Sequence, residues 1–158
     1  MLEDSEGSTI EVDSYCTPCV VDWNEDNKKD ILLGSGSGAV VIYSNQGSDS
    51  TPLFVPPVPI ETGEAALNVG GFSAPFVADW NADGKQDLLV GDGEGYVHFY
   101  LSSADEEESR FVKSGKVHVG GQELMVEGPA GPFLVYLNQD GKDELLIGSS
   151  DGRIYLAM

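Results

Sequence analysis

The segment Asp79-Trp80-Asn81-Ala82-Asp83-Gly84-Lys85-Gln86-Asp87 places short oxygen-bearing side chains at its first, third, fifth and ninth positions, with glycine at the sixth. Calcium takes six to eight hard oxygens at about 2.3–2.6 Å, and a tight loop supplies them by turning alternate residues toward one point. Gly84 allows the sharp bend because it enters the φ > 0 region without a Cβ clash. The carbonyl of Lys85, at position seven, would complete the shell. The pattern recurs from Asp22 to Asp30, with Asn24 and Asp26 at the third and fifth positions, Lys28 at the seventh, and Asn27 in the glycine place. After glycine, Asn is among the residues that best tolerate φ > 0. A third version runs from Tyr136 to Glu144 and keeps Asn138, Asp140, Lys142 and Glu144, but Tyr136 replaces the first carboxylate. The alternative for all three loops is a solvated turn rich in Asp and Asn.

The loops are spaced by a repeat. Asp22 to Asp79 and Asp79 to Tyr136 are both 57 residues, and the register holds without a gap. Ile31-Leu32-Leu33-Gly34 matches Leu88-Leu89-Val90-Gly91 and Leu145-Leu146-Ile147-Gly148, and Gly38 matches Gly95 and Gly152. Within one repeat the pattern predicts four strands, near 75–80, 87–91, 96–101 and 111–119, joined by the acidic loop, a Gly-rich turn at 92–95 and a polar loop at 102–109. Four-stranded antiparallel units at fixed spacing read as β-propeller blades. The expected fold is therefore all-β. An N-terminal segment, 1–15, precedes blade 1 (16–72), blade 2 (73–129) and an incomplete blade 3 (130–158), all within one structural domain. Propellers typically have four to eight blades. The array thus belongs to a longer parent chain, closes with copies of itself, or stays open; a two-fold dimer would make a six-bladed ring.

Composition narrows the function. The chain has 158 residues, 41% of them hydrophobic, which is too apolar for a disordered class. Its formal net charge of −19 would repel nucleic acid and anionic membranes and favour cations. No apolar run approaches the ~18 residues of a membrane span, and Met1-Leu2-Glu3-Asp4-Ser5 has neither region of a signal peptide.

Other chemistry-bearing residues read as structural. Cys16-Thr17-Pro18-Cys19 has no second pair to make a zinc site and no strand-to-helix context for redox work. Cys19 aligns with Phe76 and Phe133 at a core position, so core thiols or a local disulfide are expected, with zinc shared across a dimer as the sharper alternative. His98 and His118 lie in strands without partners in motif spacing. Trp23 and Trp80 follow the first residue of their loops, where packing between blades is expected over a sugar-stacking role. The run Asp105 to Glu108 reads as a solvated loop. Neither Gly-x-Ser-x-Gly nor a Ser/His/Asp constellation can be recognised.

The stretch Pro-Phe-Val-x-Asp-Trp-Asn-x-Asp-Gly-Lys-x-Asp-Leu-Leu-x-Gly at 75–91 resembles the FG-GAP/VCBS repeat family, the blade type of integrin α-subunit propellers and many secreted bacterial proteins. The resemblance implies calcium ligands Asp22, Asn24, Asp26, the Lys28 carbonyl and Asp30 in loop one. In loop two it implies Asp79, Asn81, Asp83, the Lys85 carbonyl and Asp87. It further implies a non-enzymatic, extracellular or cell-surface propeller module for binding protein or glycan in adhesion, with calcium rigidifying the loops. The rival readings are a carbohydrate-binding or polysaccharide-lyase propeller and a self-assembling structural subunit. The expected partners are a second copy or further blades of a parent chain, and an extracellular protein or glycan, with no nucleic acid and no membrane insertion.

Overall fold

In a computed structural model of the chain, residues 1–63, 65–103, 110–135, 137 and 144–157 are described, the side chains of 113 and 114 excepted. The first sheet has the order β1 (Thr17–Val21), β2 (Asp30–Gly34), β3 (Val40–Tyr43), β4 (Val58–Pro59). A short hairpin, β5 (Glu61–Thr62) and β6 (Ala65–Ala66), leads to the second sheet: β7 (Ala74–Ala78), β8 (Asp87–Gly91), β9 (Val97–Ser102), β10 (Phe111–Lys116). A second hairpin, β11 (His118–Val119) and β12 (Gln122–Glu123), leads to a sheet of three strands, β13 (Gly131–Val135), β14 (Glu144–Gly148) and β15 (Ile154–Ala157). Among the described residues all strand pairings are antiparallel, and the sheets do not close into a barrel. Among the described residues no helix is long and apolar enough to cross a membrane.

The repeat is kept in the register. Val21 pairs Asp30, Ala78 pairs Asp87 and Val135 pairs Glu144. The fourth strands depart from expectation. β4 is only two residues, and β10 carries a register shift between Lys113 and Gly115, after which the chain leaves the sheet at Val117. Gly115 has φ 151°, a conformation that breaks a regular ladder.

The second strand of the middle repeat, β8, is apolar on both faces because a sheet packs on each side. Leu88 and Val90 of β8 join Leu32, Val40, Ile42, Ile60 and Leu67 of the first repeat in one core, with Tyr100 and Phe111. Leu89, on the opposite face of β8, joins Val97, Val117 and Val126 against Leu145 and Ile147 of the third sheet. Burial, with the Asp92 carboxylate as a smaller influence, pushes the Tyr100 phenol up to about 12. The innermost strands β1, β7 and β13 lie side by side. Close approach of the sheets requires glycine. A Cβ on Gly34 would collide with the carbonyl oxygen of Ser73, and one on Gly91 with that of Ala130. On the far side of the first sheet, Ile10 and Val12 of the N-terminal segment cover Leu33, Tyr43 and Phe54.

Cys16 and Cys19 are free thiols, Cys16 exposed and Cys19 partly buried against the first core. Burial pushes the Cys19 thiol up, opposed by a hydrogen bond from the Val77 backbone. Cys19→Val should therefore fold normally, costing less than about 1.5 kcal/mol in a urea titration, as a near-isosteric apolar swap does. Loss of a bound transition metal in that variant would instead mean that the thiols hold zinc.

Candidate metal centre

Loop one joins β1 to β2 and loop two joins β7 to β8, and their hydrogen bonds superimpose. In loop two the Asp83 N–H donates to both Asp79 Oδ1 and Asn81 Oδ1, each at 3.0 Å. One shared donor draws those two oxygens to the same point. The Gly84 N–H reaches Asp79 Oδ2 at 2.8 Å, and the Lys85 N–H reaches Asp83 Oδ1 at 2.9 Å. Loop one repeats this: the Asp26 N–H donates to Asp22 Oδ1 (3.0 Å) and Asn24 Oδ1 (3.1 Å), the Asn27 N–H to Asp22 Oδ2 (2.8 Å), and the Lys28 N–H to Asp26 Oδ1 (3.0 Å).

The φ > 0 positions anticipated at Asn27 and Gly84 are present, at 64° and 86°. Two more had no signal in residue type: Glu25 and Ala82, at the fourth position, both have φ 59°. An L-residue held there costs about 1–2 kcal/mol, so the loop stores strain in order to turn its oxygens together.

The ninth position has a different character. Asp30 and Asp87 are wholly buried, and both of their oxygens accept backbone hydrogen bonds. Asp87 Oδ2 accepts from the Trp80 N–H (3.0 Å) and Oδ1 from the Ser102 N–H (2.8 Å). Asp30 does the same with Trp23 (2.9 Å) and Asn45 (2.7 Å). Glu144, also buried, accepts from the Leu137 N–H at 2.9 Å. Each carboxylate thus pins the start of its loop to the start of its second strand, and the two aspartates also reach the chain leaving the third strand. This brace was invisible in the ligand pattern, although a charged residue opening an apolar strand in every repeat was its trace. Tyr136, Asn138, Asp140 and Lys142 lie outside the described residues.

Two further residues join the loops across the gap between sheets. Gln86 donates through Nε2 to the Asp22 carbonyl at 3.0 Å. Arg110 donates to the Trp23 carbonyl and, at 3.2 Å, to Gln86 Oε1, while its guanidinium lies 4.0 Å over the Trp23 ring. Phe111 packs 5.3 Å from the same ring. Trp23 is thus engaged between sheets, and Trp80 packs in the second core beside Phe99. Asp49, 20 residues from its contact, caps loop one by accepting the Lys29 N–H at 2.8 Å. Nothing local in the sequence points to Arg110 or Asp49.

The matching family model is described as an FG-GAP-like repeat and covers residues 22–90 and again 79–147. The chain belongs to this FG-GAP-like repeat family. Each match opens on the first residue of a loop and runs through the next one, so the family unit and the 57-residue period coincide. No curated protein matches the chain.

Among the described residues no group of three or more His, Cys, Asp or Glu side chains gathers as a metal cluster. The side-chain oxygens drawn together in these FG-GAP-like loops are mixed, coming from aspartates and from one Asn carbonyl oxygen. They are all hard oxygens, which fits calcium and not a soft transition metal. Hydrogen bonds from the Asn81 side chain first, then the Lys85 N–H, hold the Asp83 carboxyl below the usual carboxylate range. Asp83 therefore stays anionic at neutral pH.

The buried brace and the exposed loop oxygens separate by mutation. Asp87→Ala removes the acceptor of two partly buried N–H groups and should lose about 3 kcal/mol in denaturant titrations run in EDTA, since hydrogen bonds to charged groups contribute about 1.5–3 kcal/mol each. Asp83→Ala, at an exposed position, should stay within about 1 kcal/mol of the parent in EDTA. Equal losses in the two variants would contradict the assignment.

Proposed function

We propose that the protein is a non-enzymatic, extracellular binding module, a propeller-type array whose acidic loops hold calcium and present a rigid edge to a protein or glycan partner. The observation that carries this is the matched pair of oxygen cradles in loops one and two, built by the same hydrogen bonds 57 residues apart. Asp22, Asn24, Asp26 and the Lys28 carbonyl would hold the ion in loop one. Asp79, Asn81, Asp83 and the Lys85 carbonyl would hold it in loop two, with Asp30 and Asp87 fixing each cradle from below. The ion would supply positive charge that relieves repulsion between packed carboxylates.

The residues themselves orient the loop. Asp79 and Asn81 share one backbone donor, and Gly84 and Ala82 turn the chain to φ > 0. Gln86 and Arg110 tie loop one to loop two, so stiffening one cradle would be felt by its neighbour. The two bracing aspartates accept on both oxygens, which suits a structural role and leaves them poorly placed as acid or base. Arg110 lies over the Trp23 ring and Phe111 packs beside it, which favours a partner that meets the loop edge over a sugar stacked on that indole.

Extracellular calcium modules bind at about 10⁻⁴–10⁻³ M. At ~2 mM calcium and ~0.1 mM affinity each occupied site adds about 1.8 kcal/mol. The melting temperature should rise clearly from EDTA to calcium, and rise less in Asp83→Ala. Identical melting with and without calcium would overturn the metal reading. Release of unsaturated sugars from a polysaccharide would overturn the non-enzymatic one.

A further inference from the structure

The two sheet-to-sheet interfaces are copies of one another, and they leave a third copy half built at each end of the array. At the first interface the Ser73 N–H donates to the Ser35 carbonyl (2.9 Å) and the Val69 N–H to the Gly38 carbonyl (3.0 Å). At the second, 57 residues on, the Ala130 N–H donates to the Asp92 carbonyl (3.0 Å) and the Val126 N–H to the Gly95 carbonyl (2.9 Å). The next acceptors in register are the carbonyls of Ser149 and Gly152. The preceding donors in register are the N–H groups of Cys16 and Val12.

The apolar residues divide in the same way. Leu33, Tyr43 and Phe54, with Ile10 and Val12, hold the positions that Val90, Tyr100, Phe111, Leu67 and Val69 hold in the first interface. That half-core lacks the counterparts of Leu32, Val40 and Ile42, which are Leu146, Ile154 and Leu156. Val40 and Val97 are 0% exposed in the two complete interfaces, whereas Ile154 is 74% exposed and Leu156 50%. Glycine gives the same answer. Gly34 and Gly91 are sites where a Cβ would strike the next segment's carbonyl, yet a Cβ on Gly148 would meet nothing nearer than the Gly131 carbonyl at 3.9 Å.

We propose that the third sheet docks head to tail on the first sheet of a second copy of this chain, and that two such junctions close a six-bladed ring. The second copy's Cys16 and Val12 N–H groups then meet Ser149 and Gly152, and Leu146, Ile154 and Leu156 complete the half-core over Leu33. The edge strand β15 also gains a partner. β3 pairs with β4 through Val41↔Pro59 and Ile42↔Val58. The same register sets Tyr155 opposite the second copy's Leu2, and Leu156 opposite its Met1. Two identical head-to-tail contacts related by a two-fold axis close on themselves and leave no sheet face open. The proposal does not depend on calcium, so light scattering in EDTA and in calcium separates its failure from that of the metal reading.

Light scattering of the chain should give twice the 16.8 kDa of one copy. Gly148→Ile adds a side chain where the single chain has room and the junction has none. Its far-ultraviolet circular dichroism and cooperative unfolding should be kept, while its mass falls to that of a monomer. Cys16 is exposed in the single chain, but Ser73 and Ala130, its counterparts, are 0% and 1% exposed. Its labelling by a thiol reagent should therefore be slow in the parent and fast in Gly148→Ile. A monodisperse monomer at high concentration would overturn the proposal. So would an oligomer unchanged by Gly148→Ile, or open assemblies that lengthen with concentration.

Discussion

A buried carboxylate at the start of the second strand holds each complete hairpin together. Asp30 and Asp87 are wholly buried, so their oxygens are satisfied by backbone N–H groups and not by water. One oxygen of each closes the acidic loop by binding the N–H of the following tryptophan, and the other binds the chain leaving the third strand. Three strand ends are thereby fixed to one side chain. The position of every oxygen in the loop above follows from that anchor, because the loop has only eight residues in which to turn. Glu144 keeps the first of these bonds with a longer side chain, so the device survives a change of residue.

The brace explains how an exposed, highly charged loop has a defined shape. Asp79 and Asn81 are drawn together by one backbone donor, and Ala82 is held at φ 59° although alanine gains nothing there. Such strain persists when the surroundings over-determine it. Here they are the buried aspartate below and, between sheets, Gln86 and Arg110. A loop edge assembled in this way has its backbone fixed by the sheets beneath it.

The sheets are not independent. Both large cores are divided between neighbouring sheets, so each sheet buries its apolar faces only in company. The N-terminal segment shows the same logic in miniature: Ile10 and Val12 stand over Leu33 as Leu67 and Val69 stand over Val90. This shared burial explains why Gly34 and Gly91 must lack side chains.

Periodicity made the blades, their strand order and the acidic loops legible before any coordinates, because alternation, turn glycines and loop spacing are local properties repeated three times. Asn27 and Gly84 were readable for the same reason, since few residue types accept φ > 0. Other features depended on residues far apart in the chain. Asp30 and Asp87 share the spacing pattern of their neighbours, and only the packed sheets bury them and give them backbone donors. Cys19 aligned with two phenylalanines at an expected core position, yet it and Phe76 are only partly buried and Phe133 is exposed, because these strands lie at the margin of their sheets. Arg110 reaches Trp23 across 87 residues, and Asp49 caps a loop 20 residues away. A repeat pattern states which residues share a role within a blade. Which oxygens face water and which are locked inside is settled only when the next sheet arrives and removes the solvent.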